Sequence, residues 1–412
     1  MVSILAQAAR CHLPAAGLRR ISASLCALWM ALGIACAEPF VPTDGEQVIE
    51  RLRSSGLGSE GGELRQLRQQ LNTAPMNLTL AEQYARKCIE RSRSDSDPRY
   101  LGRAQAAMAP WWNASAIPAN AFVIRGILKQ SQHDFTNALC DLQLALTQDP
   151  RNAQAWLTRS TILTVLGDYT GARRACIPLA QLTPGLIALT AVANVACLNG
   201  DAERGCALLR NALRDNPNTA ERERVWALTI LAETEVRIGH SEDAQETFKK
   251  ALQLDPRDVY IQCAYADLLL DLGRGREAEH LLKNSVPSDS VLLRLALAEA
   301  QQSPPPADLP MHVSMLRARF EEGHLRGDFV HQREEARFLL AIEGNAAGAL
   351  KMALLNWHVQ HEPADARILL ESALAQRDAT AALPVLAFIQ SSHIEDSRLL
   401  FLTERLKRVQ HP

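Results

Sequence analysis

Residues 153–184 read AQAWLTRSTILTVLGDYTGARRACIPLAQLTP, and this stretch sets the expectation for the whole chain. Trp156, Ile162 and Leu163 recur at helical spacing, and Leu166-Gly167-Asp168-Tyr169 interrupts them. Ala172, Cys176 and Leu179 then form a second helical stripe, which Thr183-Pro184 ends. Glycine closes a helix cheaply because it adopts the left-handed cap conformation. Proline closes one because it has no N–H to donate and disfavours helical geometry before it. The stretch therefore predicts helix, tight turn, helix, turn.

The same punctuation recurs on both sides. Asp149-Pro150, Thr183-Pro184, Asn216-Pro217 and Asp255-Pro256 are spaced 34, 33 and 39 residues apart. Gly167, Gly200, Gly239 and Gly273 follow at 33, 39 and 34. Both series contain the 39, so one insertion near residues 218–224 accounts for both. A fixed period of this length is the mark of a repeat array.

Five units fit: 119–150, 153–184, 186–217, 225–256 and 259–287. The first four end in Pro150, Pro184, Pro217 and Pro256. Small residues stand where two helices of a unit would touch: Gly126, Ala138, Ser160, Ala172, Ala193, Gly205, Ala232, Ala244, Ala266 and Ala278. Aromatic residues stand early in the first helix (Phe122, Trp156) and after the turn (Phe135, Tyr169). This pattern resembles the tetratricopeptide repeat (TPR). The resemblance implies an all-α, right-handed superhelix of antiparallel helix pairs, a TPR-like α-solenoid.

Residues 76–118 read as a degenerate helical pair broken at Asp97-Pro98. Residues 38–75 read as one short helix with a flexible Gly/Ser-rich stretch at 54–62. A further helix after the fifth unit completes an array over 119–302. Ser303-Pro304-Pro305-Pro306 stops that helix and is read as the main internal boundary. Residues 307–412 are expected to continue as degenerate helical repeats and a cap, with helices near 311–322, 329–342, 346–360, 364–376 and 396–409. Ala336 and Ala349 take the small-residue positions there. A terminal unit must shield its end from water, so atypical sequence is expected. The stretch from Asn356-Trp357 to Ala366-Arg367 also resembles an uncharacterised group of exported bacterial TPR proteins.

Residues 1–37 contain no Asp or Glu. Arg10, Arg19 and Arg20 precede an uncharged run from Ile21 to Ala37, which ends in Ala35-Cys36-Ala37. This is the form of a secretory signal peptide, with cleavage expected before Glu38 and a periplasmic or secreted destination. A lipoprotein signal, a transit peptide and an uncleaved membrane anchor are the competing readings. Cleavage would leave 41 basic against 46 acidic residues and six of the nine cysteines: Cys88, Cys140, Cys176, Cys197, Cys206 and Cys263. Their placement in helix interiors fits buried free thiols. An oxidising compartment keeps disulfides as the alternative.

The composition, 47% hydrophobic and 22% charged, excludes wholesale disorder. Forty-four basic against 46 acidic residues give no basic excess for a general nucleic-acid binder. No phosphate loop or nucleophile elbow appears, and no cofactor is expected. His358 and His361 stand at helical spacing, but without a third ligand they are read as surface histidines and no metal is assigned. Arg326-Gly327-Asp328 is read as a turn between helices, and Trp111-Trp112 as the seal between two repeats.

The resemblance places the first helix of each unit on the concave face. Inward positions then include Asn120, Val123, Ile127, Gln154, Leu157, Thr161, Thr190, Asn194, Trp226, Glu233, Arg237, Tyr260, Asp267 and Asp271. One TPR variant clamps a peptide carboxylate with Lys, Asn and Arg. Here only Asn194 matches, while Thr190, Trp226 and Ile230 occupy the basic positions, so that clamp is rejected. The expected function is a non-catalytic scaffold that binds a protein or peptide. The proposed groove comprises Asn120, Gln154, Thr161, Asn194, Trp226, Glu233, Arg237, Tyr260 and Asp267. Trp226 and Tyr260 are its expected contact aromatics, and the carboxylates near Asp267 favour a basic ligand end. Self-association through repeat surfaces and an enzyme site hidden in the C-terminal third are the alternatives.

Overall fold

The computed structural model describes residues 59–95, 97–285, 288–327 and 330–410. The leader 1–37 and Asp328 lie outside the described residues. Among those described, every regular element is a helix. None is long and apolar enough to cross a membrane.

The chain opens with α1 (Ser59–Thr73), α2 (Leu78–Asp95), α3 (Arg99–Ala107) and the single turn α4 (Ala109–Trp112). The expectation of a flexible stretch over 54–62 is corrected at its end, since Ser59 already begins α1. Five antiparallel pairs follow: α5 (Ala119–Ser131) with α6 (Phe135–Gln148), α7 (Ala153–Val165) with α8 (Tyr169–Leu182), α9 (Leu186–Cys197) with α10 (Ala202–Asp215), α11 (Glu221–Arg237) with α12 (Ser241–Leu254), and α13 (Val259–Asp271) with α14 (Gly275–Leu282). The insertion near 218–224 extends α11 by about one turn at its start, which leaves the repeat geometry intact.

Local chemistry explains these bounds. Asp134, Asn152, Asp168 and Asp258 each accept a backbone N–H from the first turn of the helix they precede. Each such cap satisfies one of the orphan donors at a helix start. Gly167, Gly200, Gly239 and Gly273 close the first helix of four pairs with positive φ. The small residues between paired helices are fully or almost fully buried, from Ala138, Ala172 and Ala193 to Ala232, Ala244, Ala266 and Ala278. A Cβ on Gly126 would stand 3.2 Å from Leu142, so the closest approach of α5 and α6 depends on glycine.

Trp111 and Trp112 pack half-buried against the core of the first repeat. Buried Arg125 ties them down. Its Nη1 donates to the carbonyls of Trp111, Trp112 and Ala114 at 3.1, 2.6 and 3.0 Å. Its Nε and Nη2 meet Asp141 at 2.8 and 2.6 Å.

The C-terminal third adds α15 (Asp289–Ala300), α16 (Leu309–Arg326), α17 (Gln332–Ala341), α18 (Ala346–Trp357), α19 (Pro363–Gln376), α20 (Leu383–Ser392) and α21 (Ser397–Gln410). Helix α20 is not foreseen from the sequence. Packing does not stop at the proline run 304–306, because Leu316, Phe320 and Phe338 share one core with Val225, Phe248 and Leu293. A second core joins Leu163, Tyr169, Leu179 and Leu198 of repeats two and three to Trp357, Leu369, Val385 and Leu402. The last helices thus fold back across the array.

Candidate inner binding surface

The first helices of consecutive repeats touch one another from α5 to α15 and form one continuous wall. Neighbouring positions on this wall hydrogen-bond across repeats. Asn152 Nδ2 donates to Asn120 Oδ1 at 3.1 Å, and Tyr260 Oη donates to Glu233 Oε1 at 2.6 Å. Gln154 is exposed and donates to Thr158 Oγ1 at 3.1 Å. Thr161 and Asn194 are half-buried, and the Thr161 hydroxyl is spent on the Leu157 carbonyl.

Three expected inward positions are not on a surface at all. Val123 and Thr190 are fully buried and Ile127 nearly so. Val123 and Ile127 belong to the core of the first repeat, and the Thr190 hydroxyl donates back to the Leu186 carbonyl at 2.7 Å. Trp226 is half-buried against the core that the C-terminal helices share. Its ring belongs to the packing as much as to any groove.

The acidic end of the wall already has basic partners. Asp267 accepts from Arg294 at 2.8 Å and from Arg337 at 2.6 Å. Asp271 accepts from Arg367 at 2.7 and 2.6 Å and from Arg398 at 2.6 Å. Burial alone would raise the Asp267 pKa, but the two guanidiniums outweigh it and hold the carboxyl at about 2. The basic end expected of a ligand is supplied by α15, α17, α19 and α21 of the chain itself. These arginines were not singled out in the sequence, since their carboxylates stand 27 to 127 residues away.

The fold-back also reaches the repeat turns. His361 donates its backbone N–H to the Val165 carbonyl at 2.8 Å, and its Nδ1 lies 2.8 Å from the Leu166 carbonyl. The ring of Phe388 lies over Gly167. Asn199 donates to the Ser392 carbonyl at 2.7 Å. Asp201 makes no side-chain cap at the start of α10. Glu395 takes that place and accepts the Ala202 N–H at 2.7 Å. By contrast, His358 is exposed and lines an outer pocket of about 550 Å³ with Leu350, Leu354 and Leu355. The two histidines of the rejected metal reading therefore serve different surfaces. Among the described residues, no group of three or more His, Cys, Asp or Glu is placed to hold a metal ion.

What stays open lies around Tyr260, which is 61% exposed. Its pKa is nevertheless raised well above the usual tyrosine value, first by the Glu233 charge and then by burial and Glu362. Burial likewise raises the Glu233 pKa, against the Tyr260 hydrogen bond and the charges of Arg237 and Arg333. Exposure to water together with a crowded electrostatic environment describes an inner cleft, wet but walled by protein. Across it, Arg333 pairs with Glu362 at 3.0 Å and Asp365 at 3.3 Å. Glu233 forms no ion pair among the described residues. The exposed ring thus stands beside a carboxylate in the field of Arg237 and Arg333.

The tetratricopeptide repeat model matches residues 239–301. A tetratricopeptide repeat protein from Parabacteroides merdae is 15% identical over 70% of this chain and 99% of its own, with a TM-score of 0.37. PilW, described as a widely conserved type IV pilus biogenesis factor, is 14% identical over 69% and 98%, at 0.34. Human IFIT1, as a dimer with PPP-AAAA, is 15% identical over 86% and 88%, at 0.40. No curated protein matches the sequence. Residues 239–301 thus match the tetratricopeptide repeat, and the helix pairs that flank them bury small residues at the same contacts.

Proposed function

We propose that the protein is an exported, non-catalytic scaffold that holds an extended segment of a partner protein in the cell envelope. The repeat fold is that of a protein-interaction scaffold. The observation that carries the finer reading is Tyr260, a large aromatic ring open over 61% of its surface on the inner wall. Buried aromatic anchors dominate binding energy when a partner covers them, so a ring left uncovered beside a carboxylate is where a partner gains most. The acid-free leader supports export, and the absence of a basic excess fits a protein partner.

Site-specific photocrosslinking tests this. A photoreactive residue replaces Tyr260 in cells, and a second chain carries it at Leu144, exposed on α6. Crosslinking of one protein at position 260 and not at 144 supports the reading. Equal labelling at both positions, or none at 260, overturns it. Crosslinks to the protein's own copies alone would favour self-association instead.

A further inference from the structure

Repeat three holds two cysteines that the proposed binding role does not use. Cys197 is the last residue of α9, and Cys206 lies in the second turn of α10. Both are fully buried. The Cys197 thiol lies 4.0 Å from the Ala202 carbonyl, in the first turn of α10, and Cys206 is the group that perturbs it most. The approach is close because Gly205 leaves room. A Cβ at that position would stand 2.2 Å from Cys197 Sγ. The Cys197 sulfur thus occupies the place of the side chain that Gly205 lacks, one residue before Cys206 in α10. Among the described residues, the other cysteines make no such pair. Cys176 meets Ser160 at 3.1 Å, and Cys140 stands exposed on α6.

We propose that Cys197 and Cys206 are a redox pair, and that an oxidising compartment closes them into a disulfide that staples α9 to α10. The co-reactant is a disulfide-bearing thiol oxidant, either a low-molecular-weight disulfide or the active-site disulfide of an oxidoreductase. Thiolate exchange proceeds in two steps. The Cys197 thiolate attacks one sulfur of the oxidant, forms a mixed disulfide and releases the other sulfur as a thiolate. Cys206, deprotonated, then attacks Cys197 Sγ and releases the second. The two protons lost by the cysteines end on the reduced oxidant, and two electrons pass with them. The surroundings suit Cys197 as the attacking group. The interaction with Cys206 outweighs burial, and Thr234 and the Arg237 charge add to it, so the Cys197 pKa is lowered while that of Cys206 is raised. Thr234 and Arg237 belong to α11, so this setting is complete only with repeat four docked onto repeat three.

The experiment refolds the reduced chain in a mixture of reduced and oxidised glutathione. It is quenched with acid, alkylated with iodoacetamide and digested with trypsin without reduction. Arg204 lies between the two cysteines, so a bond appears as two joined peptides. The expected result is a Cys197–Cys206 crosslink, with Cys88, Cys140, Cys176 and Cys263 alkylated. Alkylated Cys197 and Cys206, or either one joined to another cysteine, overturns the proposal. Thermal melting gives a second reading. Dithiothreitol should lower the midpoint of the refolded chain by roughly 5 °C, from the small loop that the bond closes. The Cys206→Ala chain should show no change with reductant. An unchanged midpoint in the unsubstituted chain counts against the staple.

Discussion

Arg337 on α17 donates to Asp267 on α13 at 2.6 Å, across 70 residues of chain, and shares that carboxylate with Arg294. Three partly buried side chains thus complete one ionic group. Removing the single negative charge would leave two guanidiniums facing each other. Asp267→Asn is expected to cost about 3 kcal/mol, read as a lower urea midpoint with unchanged slope. The same pair fixes a pH window. The folded carboxyl is held at about 2 and the unfolded one near 4. Its contribution is therefore complete above the unfolded value and is lost as pH falls from about 4 toward 2. The substituted chain should lack that part of the acid transition.

Arg125 stitches the tryptophan turn to the first repeat through three carbonyls and Asp141. Arg125→Met should cost on the order of 3 kcal/mol, because it strands buried acceptors. Lys129, 2.8 Å from Asp141, limits the loss. Tryptophan fluorescence should shift to the red as Trp111 and Trp112 loosen. An unshifted spectrum would mean that the rings are held by packing alone.

Two glycines with the same backbone conformation make a controlled comparison. Gly167 has φ 74° and Gly239 has φ 87°. A Cβ on Gly239 meets nothing within 4 Å, whereas one on Gly167 would stand 2.6 Å from the Phe388 ring. Gly239→Ala should cost about 1 kcal/mol from the left-handed backbone alone. Gly167→Ala should cost roughly 1–3 kcal/mol more, since the ring must move. Equal melting temperatures for the two variants would show that the contact with α20 adds nothing.

Glu395 caps α10 from 193 residues away. Glu395→Ala should cost about 1 kcal/mol, the value of an ordinary N-cap, and Glu395→Gln should recover most of it. Hydrogen exchange at Ala202 is the direct readout. Faster exchange in the Ala variant alone is the expected outcome.

The repeats were legible because their determinants are local. A glycine at a helix end or a proline after one acts within a few residues, and the spacing of Gly167, Gly200, Gly239 and Gly273 carries the period. Helix α20 was not legible for a physical reason. Leu383-Pro384-Val385-Leu386-Ala387-Phe388-Ile389 is apolar all round and shows no stripe until its neighbours are known. The inner wall was only partly legible. Tyr260 and Glu233 fell on inward positions one repeat apart and do meet. Thr190 and Val123 fell on similar positions and are fully buried. The arginines that cover Asp267 and Asp271 sit on ordinary amphipathic helices. Nothing near them in the chain announces a carboxylate on a distant repeat.

The bond from His361 to Val165 spans 196 positions, and it changes what kind of folding unit the array is. A simple solenoid links each repeat only to its neighbours, so it frays from its ends and unfolds in stages. Here the chain's end secures its middle, and early repeats gain their last contacts only when the final helices arrive. Such non-local closure slows folding and makes unfolding a single concerted event. Loss of α20 and α21 would then be felt first at the turns after Val165 and Leu198, far from the cut.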